Sequence, residues 1–327
     1  MWSIKEIENK IRAIKKKQRI VFPEGTQEKI QQTANFLVEN DLAIPVLLFN
    51  TKKEVPSNLN EKIETVIMDQ YDKDKMIKLF LEIRKDKADE QTAKKLMDQR
   101  TYFGVMMMKL DLADAMICGL EYTTADTLRP ALQIIKTSKK YSIASSVFLM
   151  SKEEEIYLFT DCALNVDPNA NQLADIASMS ADFAQQLNEK NVQVVMLSYS
   201  TNGSGMGASV DKVKEAVNLL NSKESKGITF DGEMQFDSAF DKSVRIKKYP
   251  KTKITKEHPD VYVFPDLNSG NIGYKIAQRF GNFQAAGPFI LGLNKPVNDL
   301  SRGATLEDIK QTSIVTIYTS MFNGGDK

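Results

Sequence analysis

The sequence predicts an α/β fold with a mostly parallel sheet, and three observations lead there. Short β-branched or apolar runs alternate with helix-period patterns over most of the 327 residues. Several of those runs end in small polar residues and glycines just before a helical pattern, the place where α/β proteins put their loops. The chain is 42% hydrophobic and 27% charged, with no low-complexity linker, which suits about two packed cores in a globular protein.

Taken in order, Ile4, Ile7, Ile11 and Ile14 recur at helical spacing among Lys and Glu, so the N-terminus reads as an amphipathic helix and not a signal peptide. Residues 19–23 (RIVFP) form the first expected strand, followed by Gly25-Thr26 and a helix from about Gln27. Residues 44–49 (IPVLLF) are the second strand, and 89–97 and 102–110 are helices. Residues 142–150 and 155–161 read as two adjacent strands, 174–187 as a helix, 192–200 as a strand and 210–222 as a helix. A strand over 261–267 precedes a helix over 272–280, and the Lys-rich stretch 244–257 reads as a solvated surface excursion. The missing linker implies domains joined by crossing segments and not strung as beads.

Charge and composition exclude several function classes. Lys+Arg number 44 against 43 Asp+Glu, so no nucleic-acid or anionic-membrane partner is expected, and any phosphate must be held by local geometry. No apolar run approaches the roughly 20 residues of a membrane span. Cys118 and Cys162 are the only cysteines, which points to a reducing cytoplasm without a disulfide framework. His258 is the only histidine and reads as a solvated loop residue in Lys256-Glu257-His258-Pro259. A Ser-His-Asp triad, a Cys-His pair or a histidine-based metal site has nothing else to draw on, so no metal is expected. Proton transfer then falls to carboxylates, Lys, Tyr or Cys.

Four segments and two isolated residues carry candidate chemistry, each with a plainer reading beside it. Residues 198–207 (SYSTNGSGMG) follow a strand and offer glycine backbone to an anion, or form a turn only. Residues 264–275 (FPDLNSGNIGYK) end another strand, and Ser269 or Asn271 could equally be a helix cap. Ser301, Arg302 and Asp308 place a hydroxyl, a guanidinium and a carboxylate at a helix entry. Arg suits phosphate through its planar fork, yet Thr305-x-x-Asp308 also matches a capping box. Arg129 precedes a proline expected to start a helix, where its side chain could meet an anion. Arg84 lies in a charged run that reads by default as a solvated face. Cys162 ends a strand, where inert packing is the default and a nucleophile needs an activating partner.

Together the motifs resemble the phosphate acetyltransferase (phosphotransacetylase) family. They are residues 123–137 (TTADTLRPALQIIKT), 144–150 (ASSVFLM), 197–205 (LSYSTNGSG), 230–237 (FDGEMQFD), 264–274 (FPDLNSGNIGY) and 287–303 (GPFILGLNKPVNDLSRG), in order along nearly the whole chain. Small departures are alanine in Ala113-Asp114-Ala115-Met116, where a second glycine is usual, and Ala88-Asp89-Glu90, where a Gly-Met-Thr-like run is common. The resemblance implies acetyl transfer between acetyl phosphate and coenzyme A, with coenzyme A as a substrate and no cofactor. It implies a fold similar to isocitrate and isopropylmalate dehydrogenases, with two α/β domains flanking a cleft and a chain that forms a homodimer. Residues 1–143 plus 293–327 would form one domain and 144–292 the other.

The same resemblance assigns roles. Ser301 and Arg302 match the family's arginine-serine pair, Asp308 its general base, Arg129 and Arg84 its anion-binding arginines, and Cys162 the cysteine near the cleft. Ser200, Thr201, Gly203, Ser204 and Gly205 of the first glycine loop, and Asn271, Tyr274 and Lys275 of the second, are the remaining expected substrate contacts. Arg302, Arg129 and the 203–207 backbone would hold phosphate, Asp308 would take the thiol proton, and Ser301 would orient the thiol or meet the developing oxyanion. An aspartate, ordinarily ionising near 3.9, is a weak base for a thiol near 8.5, so the site must compensate. A butyryltransferase-like enzyme with a longer acyl pocket and a non-catalytic acetyl-CoA-sensing module are the alternatives. An acetylated Cys162 is the alternative to direct attack by the thiol.

Overall fold

The Ser3 hydroxyl accepts the Glu6 N–H and the Glu6 carboxylate accepts the Ser3 N–H, so α1 (Ile4–Arg12) starts at this box and buries Ile7 and Ile11. The structure, a computed structural model, describes residues 3–187 and 190–322. It divides into a middle unit, Ser138–Gly292, and a terminal unit made of Ser3–Thr137 with the chain from Leu293 onward.

The terminal unit begins with β1 (Arg19–Phe22), α2 (Glu28–Glu39), β2 (Ile44–Phe49) and β3 (Glu64–Ile67). Then come α3 (Asp74–Arg84), α4 (Glu90–Met97), α5 (Arg100–Lys109), β4 (Ala115–Cys118) and α6 (Thr124–Pro130). β1, β2 and β4 are nearly continuous apolar runs because both faces of the sheet are covered. Each fully buried Val, Leu or Phe there contributes roughly 1.5–3 kcal/mol. α6 starts at Thr123, whose hydroxyl accepts the Asp126 N–H, and Pro130 lies in its last turn, ahead of a π-helical turn over Ala131–Ile135. The proline therefore ends this helix, whereas the sequence suggested that it starts one.

The middle unit follows, with the antiparallel pair β5 (Ser145–Lys152) and β6 (Glu155–Thr160), then α7 (Ala170–Gln186), β7 (Val192–Leu197), α8 (Ala208–Asn221) and β8 (Ile228–Met234). It continues through α9 (Phe236–Phe240), α10 (Lys242–Lys248), β9 (Val261–Val263), α11 (Leu267–Arg279) and β10 (Gln284–Leu291). The strand order is β10-β5-β6-β9-β7-β8, antiparallel on the β10 side and parallel from β6 to β8. Two helices begin earlier than their apolar patterns suggest. Asn169 caps α7 in a box with Gln172, and Asp266 caps α11 by accepting the Ser269 N–H at 2.8 Å. Neither Ser269 nor Asn271 is the cap.

The Lys-rich excursion is also more ordered than its composition implies. It contains α10, and Arg245 within it is fully buried, donating to the carbonyls of Ala239, Lys256 and Glu257. His258 is half-buried, stacked on Phe240 with ring centroids 4.2 Å apart, and its Nδ1 lies 2.8 Å from the Phe240 carbonyl oxygen, so it is not a solvated loop residue.

β11 (Val297–Asp299) and α12 (Leu306–Ser320) complete the terminal unit, whose five strands run parallel in the order β11-β4-β1-β2-β3. The chain adds strands on one side of β1 and then returns to place β4 on the other. The strand order thus reverses between β1 and β4, the position where open α/β sheets receive ligands beyond their carboxyl ends. Among the described residues, no helix is long and apolar enough to cross a membrane.

Candidate active site

The turn after β11 is shaped by its own backbone. The Leu300 N–H donates to the Cys118 carbonyl at 2.7 Å, extending the ladder with β4, and the Ala304 N–H then closes on the Ser301 carbonyl at 2.9 Å. Lys29, from α2, holds the Ala304 carbonyl at 2.7 Å. Ser301, Arg302 and Gly303 are left exposed, with the Ser301 hydroxyl accepting the Gly303 N–H at 3.3 Å. Next, Thr305 caps α12. The Thr305 N–H donates to Asp308 Oδ2 at 2.8 Å and the Asp308 N–H to Thr305 Oγ1 at 3.1 Å. Asp308 is therefore a helix-capping residue, held half-buried one turn beyond Arg302.

Arg129 and Arg84 lie elsewhere in the same unit, and the structure brings them to one neighbour. Arg129 stands exposed in the last turn of α6, and Arg84 ends α3. Burial pushes the Tyr102 phenol above its ordinary value, while the positive charges of Arg129 and then Arg84 pull it back. A cavity of about 300 Å³ lies beside Tyr102, lined in part by Arg129, Arg100, Thr101 and Tyr122. Its acids are already engaged: Asp98 pairs with Lys73 at 2.6 Å, and Asp126 completes the α6 cap.

Arg100 donates to the Thr26 hydroxyl at 3.4 Å, and the other arginines fall into two groups. Arg12, Arg19 and Arg245 are each tied to two or more partners. Among the described residues, no hydrogen bond or ion pair engages the side chains of Arg84, Arg129, Arg302 or, in the last turn of α11, Arg279. A guanidinium without a partner at the carboxyl end of a parallel sheet can take an anionic oxygen in bidentate fashion.

Two acids that the sequence reading passed over stand behind these groups. Glu24, fully buried after β1, accepts the N–H groups of Gly119, Leu120, Glu121 and Tyr122 at 2.9, 3.2, 2.5 and 3.4 Å. Asp299, buried at the end of β11, accepts the Thr124 hydroxyl at 2.6 Å and leaves Oδ1 without a partner. Burial pushes its carboxyl up to about 6, aided by the neighbouring Glu24 charge and opposed by the hydroxyls of Thr124 and Thr127. The available signal was an acid directly following an apolar strand, as in RIVFPE and PVND.

In the middle unit the glycine-rich turn is closed on itself. The Gly203 N–H donates to Glu233 at 2.7 Å, the Ser204 N–H to the Thr201 carbonyl at 3.1 Å, and the Gly205 N–H to the Ser200 hydroxyl at 2.9 Å. Ser200 and Thr201 are buried, with Ser200 donating to Glu233 at 2.9 Å. The amides of residues 203–205, expected to cradle phosphate, are thus occupied by the chain itself. Asn271, Tyr274 and Lys275 lie within α11 and not in a loop before it. Asn271 donates to the Cys162 carbonyl at 3.1 Å, Tyr274 stacks on Phe148 with centroids 4.2 Å apart, and Lys275 is exposed. Cys162 is fully buried, and that burial, with the Asp161 carboxylate beside it, pushes its thiol well above the ordinary value, which opposes a nucleophilic role. Among the described residues, no group of three His, Cys, Asp or Glu could hold a metal ion.

Comparison with known proteins adds to this geometry. The phosphate acetyl/butaryl transferase family model matches residues 3–317. The chain is 52% identical over 322 residues to the phosphate acetyltransferase of Mycoplasma capricolum subsp. capricolum, spanning 98% of this chain and 100% of that protein. It is 43% identical over 305 residues to the phosphate acetyltransferase of Bacillus subtilis, spanning 91% and 93%. A phosphotransacetylase structure from Streptococcus pyogenes matches with a TM-score of 0.90 at 42% identity, covering 98% of this chain and 99% of that one.

Proposed function

The chain belongs to the phosphate acetyl/butaryl transferase family, and we propose that it transfers an acetyl group reversibly between acetyl phosphate and coenzyme A. The observation that supports this reading in the chain itself is the set of unpartnered guanidiniums, Arg84, Arg129 and Arg302, in the unit that also presents Ser301 and Asp308. The arginines hold the phosphoryl oxygens. Asp308 takes the proton from the coenzyme A thiol, the sulfur attacks the acetyl carbonyl, and the carbon–oxygen bond to phosphate breaks with its electron pair leaving on phosphate. The Ser301 hydroxyl donates to the carbonyl oxygen as its charge develops. Coenzyme A is a substrate in this scheme, and no cofactor takes part. The burial of Cys162 supports direct attack over an acetylated cysteine.

The test follows thiol consumption with acetyl phosphate and coenzyme A, in the native chain and in Asp308→Asn. The amide oxygen still accepts the Thr305 N–H, so the cap, worth about 1 kcal/mol, is largely kept. Turnover should fall about a hundredfold or more, with the KM for acetyl phosphate within a few-fold of its native value. Near-native turnover ends the base assignment, and an inactive native chain ends the functional reading.

We further propose a homodimer and a reducing, cytoplasmic setting. The second is supported by Cys118 and Cys162, both buried and unpaired. The first is supported by an exposed apolar row, Ile272 and Ile276 on α11 and Phe280 at its C-cap, at helical spacing along one stripe.

A further inference from the structure

We infer that Glu24 is a positioning residue for acetyl transfer, setting through the turn over residues 119–122 where Arg129 and the Ser301-Arg302 pair stand. The inference rests on the proposed acetyl transfer. Glu24 sits at the reversal of strand order between β1 and β4, where turn amides commonly meet an anionic ligand. Here four successive N–H groups, from Gly119 to Tyr122, converge on one carboxylate of the chain itself. The side chain is fully buried, so it acts on the turn and not on a substrate. Hydrogen bonds to an ionised acceptor are about twice as strong as neutral ones, which makes this turn a firmly held element.

Two connections carry that firmness to the site. The turn runs directly into Thr123, the cap of α6, and Arg129 stands in the last turn of that short helix. On its other side the turn is packed against the segment leading to Ser301. Gly119 has a φ of +124°, and a Cβ there would fall 2.5 Å from Asp299 Oδ1 and 2.6 Å from Leu300 N. A shift of the turn therefore displaces both the α6 start and the Asp299-Leu300 backbone. The Thr124 hydroxyl, bonded to Asp299 at 2.6 Å, ties the two together.

Glu24→Gln keeps the volume but places an NH2 where backbone donors converge, so the turn must move. Misplacement of a substrate-holding group by about 1 Å can lose a hundredfold in rate, so kcat/KM for acetyl phosphate should fall about ten- to a hundredfold. The decisive measurement is a double-variant cycle with Arg129→Lys, each protein checked by circular dichroism and thermal midpoint. A positioning role predicts that Glu24→Gln costs much less, about threefold or under, once Arg129 has been replaced. A purely stabilising role lowers the thermal midpoint and gives the same factor in both backgrounds, which overturns the inference. Should Glu24→Gln not fold, Glu24→Asp, which keeps the charge and withdraws it by one methylene, is read in the same cycle against the same two outcomes. Activity of the native chain, run alongside, separates failure of this role from failure of acetyl transfer itself.

Discussion

At the scale of single residues, Asp299 shows charge and burial in opposition. Its carboxyl lies in the protein interior with one oxygen unpartnered and is pushed up to about 6, against roughly 3.9 for an aspartate in an unfolded chain. Between those values the folded state holds a proton that the unfolded state has released. The stability linked to this group is therefore complete below about pH 4, declines as pH rises through about 6, and is level above it, a loss of about 3 kcal/mol. Asp299→Asn removes the charge and keeps an oxygen to accept the Thr124 hydroxyl. Its thermal midpoint should exceed that of the native chain by several degrees at pH 7.5, and the difference should shrink toward pH 5. Parallel midpoint curves from pH 5 to 8 would show that Asp299 is not the titrating group. Asp308, nine residues on, illustrates the other outcome for a short carboxylate. It is tied into a helix cap whose pattern, Thr305-x-x-Asp308, was visible in the sequence because cap and carboxylate are neighbours.

At the scale of elements, the turns at strand ends repeat one device. Glu24 fills the turn over residues 119–122, Glu233 closes residues 200–203, and Asp161 accepts the N–H groups of Ala163, Leu164 and Asn165. Each buried acid takes backbone amides of the turn it fills, so in the glycine-rich 198–207 loop the Gly203 N–H is turned to Glu233. Six of the eleven described strands, most helices and the arginine-bearing segments were legible in the sequence, since periodicity and caps are local, whereas β3, β4, β8, β10 and β11 were not read as strands. The turn filled by Glu24 was not: an acid after an apolar strand marks the residue, but its partners lie about a hundred residues away and nothing near it in sequence names them. Gly270 makes the same point inside α11. Read as a loop glycine, it is a helical residue packed on the Asp161 carbonyl, where a Cβ would collide. Gly270→Ala gains about 1 kcal/mol of helix propensity but overpacks a site where such changes cost about 1–3 kcal/mol. The thermal midpoint should fall by a few degrees; a rise would mean that α11 can move off Asp161 without loss.

At the scale of the whole molecule, 44 basic and 43 acidic side chains leave almost no net field, so anionic substrates are not drawn in by overall charge. Attraction must come from cations placed locally without a partner, and Arg84, Arg129 and Arg302 are such groups among the described residues. A near-neutral surface also does little to keep copies of the chain apart, which gives weight to the exposed row along α11 and its C-cap. Ile272 is 56% exposed, Ile276 53% and Phe280 88%, whereas large apolar side chains on a monomer are usually scattered singly. A row of this kind on one helix is self-complementary under a two-fold axis, because each copy presents the same stripe to the other. The proposed homodimer therefore has a specific weak point at the middle of the row. Ile276→Lys puts two ammonium groups against each other in an apolar contact and leaves the interior of the middle unit untouched. Sedimentation should find the native chain at twice 36.8 kDa and the variant at 36.8 kDa, with its circular dichroism unchanged. A native monomer, or a variant dimer stable on dilution, would remove α11 as the interface.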